Sequence, residues 1–185
     1  MTIFVERPHH AAAIEALLDS AFGPNRFAKT AYRFRDGVGP VGDLCLVAEN
    51  DRGEIEGTIR YWPVMIAGRC PSLLLGPIAV VPDCQGNGLG AALIRASLMR
   101  AAAAGHRSVI LVGDEPYYRR FGFVRALTRS LTLPGPVDLD RFLGLELVPG
   151  ALRGLAGAVT PWVAPVPAAA RSRSRFSVLA RQALA

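Results

Sequence analysis

The sequence predicts an α/β fold, a mixed sheet flanked by helices, and three observations carry that expectation. A nearly unbroken apolar run, Leu73 to Val81, reads as a strand covered on both faces. It passes through Pro82-Asp83-Cys84 into a glycine-rich turn, Gln85-Gly86-Asn87-Gly88-Leu89-Gly90, which opens a stretch of helical periodicity. Shorter apolar segments on either side, bounded by turn residues, supply the remaining strands. At 185 residues the chain is sized for one domain with a substantial core.

Taken in order, Thr2 to Arg7 alternates as a first strand. Pro8 suits the first turn of a helix in which Ile14, Leu17, Leu18, Ala21 and Phe22 recur on one face. Gly23-Pro24 ends it. Arg26 to Phe34 reads as a second short helix, closed by Asp36-Gly37-Val38-Gly39-Pro40. Leu44 to Glu49 and Ile55 to Ile66 form a hairpin around Asn50-Asp51-Arg52-Gly53, and Ala67-Gly68-Arg69 turns the chain into the apolar run. Gly76-Pro77 interrupts that run. A proline cannot donate to the ladder, so the pair marks either an edge or strand start, or a bulge that exposes backbone to a ligand. Gly88 to Ala104 is helical, with Leu89, Leu93, Ile94, Leu98 and Ala101 on one side and Arg95 on the other, and Gly105 closes it. Ser108 to Val112 is a strand, Asp114 to Arg120 a short helix, and Phe123 to Leu127 and Leu143 to Val148 are the closing strands.

Composition narrows the class. Half of the residues are apolar, yet no run reaches the roughly 18 needed to span a membrane, and Met1 to Arg7 lacks the build of a signal peptide. Cys45, Cys70 and Cys84 are odd in number and scattered, as in a reduced, cytoplasmic protein without a disulfide frame or metal site, and Cys84 reads as a small apolar filler. The net charge of +6 is concentrated in residues 150–185, which hold Arg153, Arg171, Arg173, Arg175 and Arg181 and no acid. The remaining 149 residues are close to neutral. This distribution argues against nucleic acid or membrane as a partner. Lys29 is the single lysine among 21 basic residues.

A strand feeding a glycine turn at a helix N-terminus is a device for holding pyrophosphate, because free backbone N–H groups and the helix dipole both face the anion. A P-loop is excluded, since no Gly-Lys-Ser/Thr follows. Gly86, Gly88 and Ala91 formally fit the dinucleotide pattern G-x-G-x-x-A, with Asp114 at about the spacing of a ribose-binding acid. That reading requires further strand–helix alternation, and the chain instead reaches Tyr118-Arg119-Arg120-Phe121-Gly122-Phe123 and short apolar strands. Gln85, Gly88 and Gly90 also fit Q-x-x-G-x-G, and Tyr118, Gly122 and Phe123 fit Y-x-x-x-G-F.

These two motifs together resemble the GNAT N-acetyltransferases. Gly113 to Phe123, with Leu133-Pro134-Gly135-Pro136 after it, is similar to the bacterial acetyltransferases of the YhbS type. The resemblance implies a GNAT fold, with a mostly antiparallel sheet split between its fourth and fifth strands to admit the pantetheine arm. It favours the bulge reading of Gly76-Pro77. It implies acetyl-CoA as donor and an amine as acceptor, with no metal. Ile78, Ala79 and Val80 would lie along the pantetheine, an N–H near Val80 would stabilise the oxyanion, and Gln85, Gly86, Asn87, Gly88, Leu89 and Gly90 would hold the pyrophosphate. Tyr118 would protonate the departing thiolate.

The general base is not evident. Asp114 and Glu115 are the nearest candidates, although an Asp just before a helix is more commonly a cap. His9, His10 and His106 are expected at the surface, Arg119 and Arg120 on a solvated helix face, and Arg33 and Arg35 in an acceptor pocket favouring an acidic substrate. The division expected is a GNAT domain over 1–149 and a basic extension over 150–185. Prolines at 161, 165 and 167 limit regular structure there, and apolar residues dock on the body or on a second subunit in a homodimer. A small-molecule amine is the expected acceptor. The alternatives are a protein N-terminal or side-chain acetyltransferase and a non-catalytic CoA-binding module.

Overall fold

The computed structural model describes residues 2–28 and 30–162. Along the chain these form β1 (Thr2–Val5), α1 (Ala11–Phe22), β2 (Leu46–Glu49), β3 (Ile55–Ile66), β4 (Cys70–Val80), α2 (Leu89–Ala103), β5 (Ser108–Val112), α3 (Glu115–Tyr118), β6 (Leu131–Thr132), β7 (Phe142–Glu146) and β8 (Gly157–Pro161). The sheet order is β1-β2-β3-β4-β5-β7, with β8 beside the far end of β3 and β6 beside β8. Pairing is antiparallel except for β4–β5 and β6–β8. The twelve residues of β3 exceed the reach of β2, so its outer edge is shared: Leu46–Glu49 pairs with one end and Gly157–Pro161 with Val64–Ile66 at the other.

Side-chain alternation along β4 sends successive residues to opposite layers. Leu73 and Leu75 join Ile59, Tyr61, Val109 and Leu111 under Leu89, Leu93, Ile94 and Ala101 of α2. Leu74 packs with Trp62, Val64, Ile110 and Phe142 beneath Phe34, and α1 places Ile14, Leu17 and Leu18 on Val47 and Ala79. Each such burial stabilises by about 1.5–3 kcal/mol relative to exposure. The one polar side chain on the buried face of α2, Ser97, bonds the Leu93 carbonyl and the Tyr61 hydroxyl, each at 2.8 Å. The hairpin turn before β3 is held by Asn50, whose Oδ1 accepts from the Arg52 and Glu54 N–H groups.

Three segments depart from the sequence reading. Residues 26–34 are not one α-helix but two 3-10 turns, Pro24–Ala28 and Thr30–Arg35. Their side chains are tied to separate fixed points: Arg26 to Glu15 and Asp19 of α1, Thr30 to the Pro136 carbonyl, and Phe34 in the core. Phe123 to Leu127 is not a strand. A single bridge joins Val124 to Gly144, and then Arg125–Thr128 turns back over β7. Thr128 bonds the Phe142 carbonyl, and an added Cβ on Gly144 would meet Leu127, Leu152 and Thr128 at 3.1 Å. The stretch after residue 149, read as irregular, contains β8, with Leu152 and Val159 buried in the core. The arginine-rich segment 171–175 and the apolar residues after it lie outside the described residues.

The sheet splits where the resemblance implies. β4 and β5 pair only at Leu73–Val109 and Leu74–Ile110. Just beyond, the β3–β4 register shifts, so that Arg60 alone faces Gly76-Pro77 between the pairs Ile59–Ile78 and Tyr61–Leu75. This is the bulge expected at that pair, and Gly76, at φ 129°, adopts a conformation open to glycine. From Ile78 onward β4 has a partner on one side only.

Candidate active site

The register decides which backbone groups the split exposes. The Val81 N–H donates to the Glu56 carbonyl at 2.9 Å, so Val81 and, two residues back, Ala79 turn their polar groups toward β3. Ile78 and Val80 therefore turn theirs into the split. Of the three residues expected along a pantetheine, Ala79 is directed elsewhere, with its methyl buried against α1. The Val80 carbonyl accepts from the Gln85 side chain at 3.0 Å, leaving its N–H open. Gln85 thereby pins the glycine turn to the end of β4.

In that turn the N–H groups of Gly86 to Ala91 make no hydrogen bond to the described residues. The first helical bond of α2 is Ala92 N–H to Gly88 carbonyl, 2.9 Å. Gly88 occupies the N-cap at φ 84° with no side chain to satisfy the first turn. A row of unpaired donors at a 15-residue helix N-terminus is suited to a pyrophosphate. Gly90 serves differently: a Cβ there would come within 3.1 Å of the Tyr117 hydroxyl, which lies over the turn.

α3 follows β5 directly and presents Tyr118 to the same region. A Cβ on Gly113 would fall 2.2 Å from the Tyr118 ring, so the ring lies across bare backbone. Phe123 meets it edge-on, with centroids 6.0 Å apart. The Tyr118 hydroxyl has no hydrogen-bond partner among the described residues. Burial, with smaller contributions from Tyr117 and Asp114, pushes its pKa up to about 12. It keeps its proton at neutral pH and is free to give it to an anion formed beside it.

A cavity of about 480 Å³ lies between part of this region and a second wall. Ile78, Gly113 and Tyr118 line one side. Tyr32 and Arg35 from the 3-10 turn after α1, with Pro136 and Val137, line the other. The second wall is sewn together by Thr30 and Arg33, which donate to the Pro136 and Pro134 carbonyls at 2.6 and 2.8 Å. Volumes of about 300–1,000 Å³ are usual for small-ligand sites.

Other candidate residues are engaged elsewhere. Asp114 lines the cavity but is exposed, forms an ion pair with Arg141 at 3.0 Å, and makes no side-chain cap to α3. Glu115 pairs with Arg119 along the solvated face, as expected for that arginine, and Arg120 lies over the Tyr117 ring at 4.0 Å. Arg33 lies on the outer surface of the seam, whereas Arg35 reaches the cavity. Cys84 is half-buried against the core. His9 is exposed and His106 half-buried, but His10, expected at the surface, is buried. Its Nδ1 accepts the Arg7 N–H, so Nε2 carries the proton and gives it to Glu49 at 2.9 Å. His9, His10 and Glu49 cluster within 4.8 Å. With both nitrogens of His10 so used, no lone pair on that ring is free for an ion.

Tyr32 escaped the sequence reading. Gly113, Tyr117 and Pro134-Gly135-Pro136 entered it only as part of the family resemblance, with no place in the site assigned to them.

A split sheet, a glycine turn with unpaired donors at its open end, and a protonated tyrosine on a cavity beside the split define an α/β protein of the acyltransferase class. Residues 42–125 match the family described as acetyltransferase (GNAT) domain. The chain is 33% identical over 161 residues to the uncharacterized N-acetyltransferase YhbS of Escherichia coli, covering 86% of this chain and 95% of the relative. The crystal structure of Escherichia coli YhbS in complex with CoA superposes with TM-score 0.76 and 31% identity, over 87% of this chain and 89% of that one. A GNAT family acetyltransferase from Brucella melitensis in complex with acetyl-CoA gives TM-score 0.64 and 33% identity, over 88% and 96%. The chain belongs to the GNAT acetyltransferase family, whose members are N-acetyltransferases. No helix among the described residues is long and apolar enough to cross a membrane.

Proposed function

We propose that this protein transfers the acetyl group of acetyl-CoA to an amine of a small molecule. The observation that carries the reading is a cavity in which Ile78 and Tyr118 face a wall of other side chains, beside the glycine turn that Gln85 ties to the open end of β4. The coenzyme complexes of the YhbS and Brucella relatives support the donor. Gly86 to Gly90 hold the pyrophosphate through their N–H groups, Ile78 and Val80 meet the pantetheine, and Gln85 fixes the turn. The amine nitrogen bonds to the thioester carbon while the Val80 N–H receives the oxyanion, a contribution of about 3–4 kcal/mol to the barrier. The carbon–sulfur bond then breaks, and the thiolate takes the Tyr118 proton, which solvent restores. The amine gives up its own proton through water, since Asp114 is paired with Arg141 and Asp138 accepts from the Asp140 N–H. Three free cysteines fit a cytoplasmic setting.

The test is thiol release from acetyl-CoA over a panel of small amines, amino acids, polyamines and peptide N-termini, beside calorimetric titration of acetyl-CoA. Turnover of at least one small amine is expected. Turnover of peptides alone would make it a protein acetyltransferase, and coenzyme binding without any turnover would make it a binding module.

A further inference from the structure

Four arginines gather behind the acceptor wall, around a second cavity of about 330 Å³ that shares Tyr32 and Arg35 with the first; one of them, Arg33, is exposed and donates to the Pro134 carbonyl. Two are neutralised. Arg26 pairs with Glu15 and Asp19 and donates to the Tyr32 hydroxyl. Arg60 takes both oxygens of Glu6 at 2.7 Å and one of Glu15 at 2.9 Å. Arg35, by contrast, has no carboxylate within ion-pairing distance among the described residues. Its guanidinium lies 3.6 Å from the Tyr32 ring centroid and 5.1 Å from that of Trp62, so aromatic faces cover its plane, and its buried Nε has no partner. Burial, together with Arg60 and Arg26, holds its pKa below the usual arginine value. A cation placed so, with Glu6, Glu15 and Asp19 committed to other arginines and the exposed Asp36 forming no ion pair with it, is costly unless something arrives to neutralise it. The acids on the larger cavity do not: Asp114 is paired with Arg141, and Asp138 is exposed and caps its own turn.

We propose that the acceptor carries a carboxylate besides its amine, and that Arg35 binds that carboxylate. This rests on the acetyl-transfer reading above. On the larger cavity Arg141 is paired and Arg35 is not, so one unpaired positive charge calls for one negative charge, and a planar carboxylate suits a guanidinium fixed beside two rings. A phosphate would call for a second free cation on the larger cavity; Arg26 and Arg60 are already paired, Arg141 is paired with Asp114, and Arg33 lies outside that cavity on the Pro134 carbonyl. The amine end then points toward Ile78 and Tyr118 in the same cavity, which makes free amino acids and other small amino-carboxylates the substrate class.

The experiment compares amino acids with their primary amides, their decarboxylated amines and phosphoethanolamine in thiol release from acetyl-CoA. Titration of N-acetyl amino acids and N-acetyl amino amides by calorimetry runs alongside, and needs no turnover. The parent should prefer the carboxylate member by about tenfold or more in kcat/KM or in affinity. Arg35→Met should erase the preference and Arg35→Lys restore part of it, both with acetyl-CoA affinity within twofold of the parent. Carboxylate binding that depends on Arg35, without turnover, would uphold this inference while removing the catalytic reading. Equal use of acids and amides, preference for phosphoethanolamine, no binding of any carboxylate, or an unchanged preference in a folded Arg35→Met would overturn it.

Discussion

The two sides of the proposed site are built to hold a ligand in opposite ways. On the β4–α2–α3 side the groups on offer are mostly backbone: unpaired N–H donors at Gly86 to Ala91 and the inward-facing polar groups of Ile78 and Val80. Glycines there keep side chains away. On the side of the 3-10 turn Thr30–Arg35 and the 134–138 segment, the groups are side chains, Tyr32 and Arg35, held by contacts between residues about a hundred positions apart. A backbone site suits a ligand portion shared by a whole family. A side-chain site can change its ligand with one substitution, and the proposed function puts the choice of acceptor there.

If that division holds, damage to each wall should appear in a different constant. The largest effect is expected from Gly88→Glu, which brings a negative charge to the turn and should weaken acetyl-CoA binding about a hundredfold or more, like charges in close approach costing several kcal/mol. Gly88→Ala is its control. It carries the same left-handed backbone cost of about 1 kcal/mol in stability without the charge, and should bind acetyl-CoA within a few-fold of the parent. Equal binding by the glutamate variant, measured by calorimetry, would remove the turn from the donor site.

Gly113→Ala comes next. The new methyl collides with the Tyr118 ring, so the ring must leave its place, and kcat should fall about tenfold or more with coenzyme affinity little changed. An unaltered kcat would mean that the position of that ring is immaterial. On the other wall, Gly135→Ala pushes against Thr30 Oγ1 at 2.9 Å and Arg33 at 3.1 Å. It should raise KM for the amine by about two- to fivefold and leave KM for acetyl-CoA unchanged. A change in the coenzyme constant instead would break the proposed separation of the walls.

The smallest effect lies in stability at high pH. Burial raises Cys45 from 9.0 to about 11 and Tyr118 from 10.0 to about 12. Groups raised in the folded state contribute fully below their unfolded values and lose that contribution as pH climbs through the folded ones. Stability to urea should therefore be level up to about pH 9 and decline toward pH 12, less steeply in Tyr118→Phe.

The donor wall was legible in the sequence because its chemistry is contiguous. Gln85, Gly88 and Gly90 are neighbours in one turn, and Tyr118 to Phe123 in another, so local spacing alone identifies them. The break at Gly76-Pro77 was equally local, but its reading as a bulge rather than an edge or strand start came from the family resemblance. The acceptor wall was not. Arg33 and Arg35 stood out only as basic residues, and nothing local shows that Arg35 lacks a carboxylate while Arg26 and Arg60 have theirs, since those partners come from β1 and α1. The misread strand at 123–127 and the missed strand at 157–161 share that cause: Thr128 is decided by the Phe142 carbonyl, and β8 by an open stretch of β3 nearly a hundred residues earlier.

The central claim is that Tyr118 supplies the proton to the leaving thiolate, and Tyr118→Phe tests it most directly. The change keeps the ring over Gly113 and deletes only the hydroxyl. With an amine acceptor in hand, kcat should fall at least tenfold, general acids of this kind contributing about a hundred- to ten-thousandfold, while acetyl-CoA binds as before. The deficit should shrink with a donor whose leaving thiol is already acidic. Unchanged turnover in a variant that binds the coenzyme normally would contradict the account and leave Tyr118 as a packing aromatic.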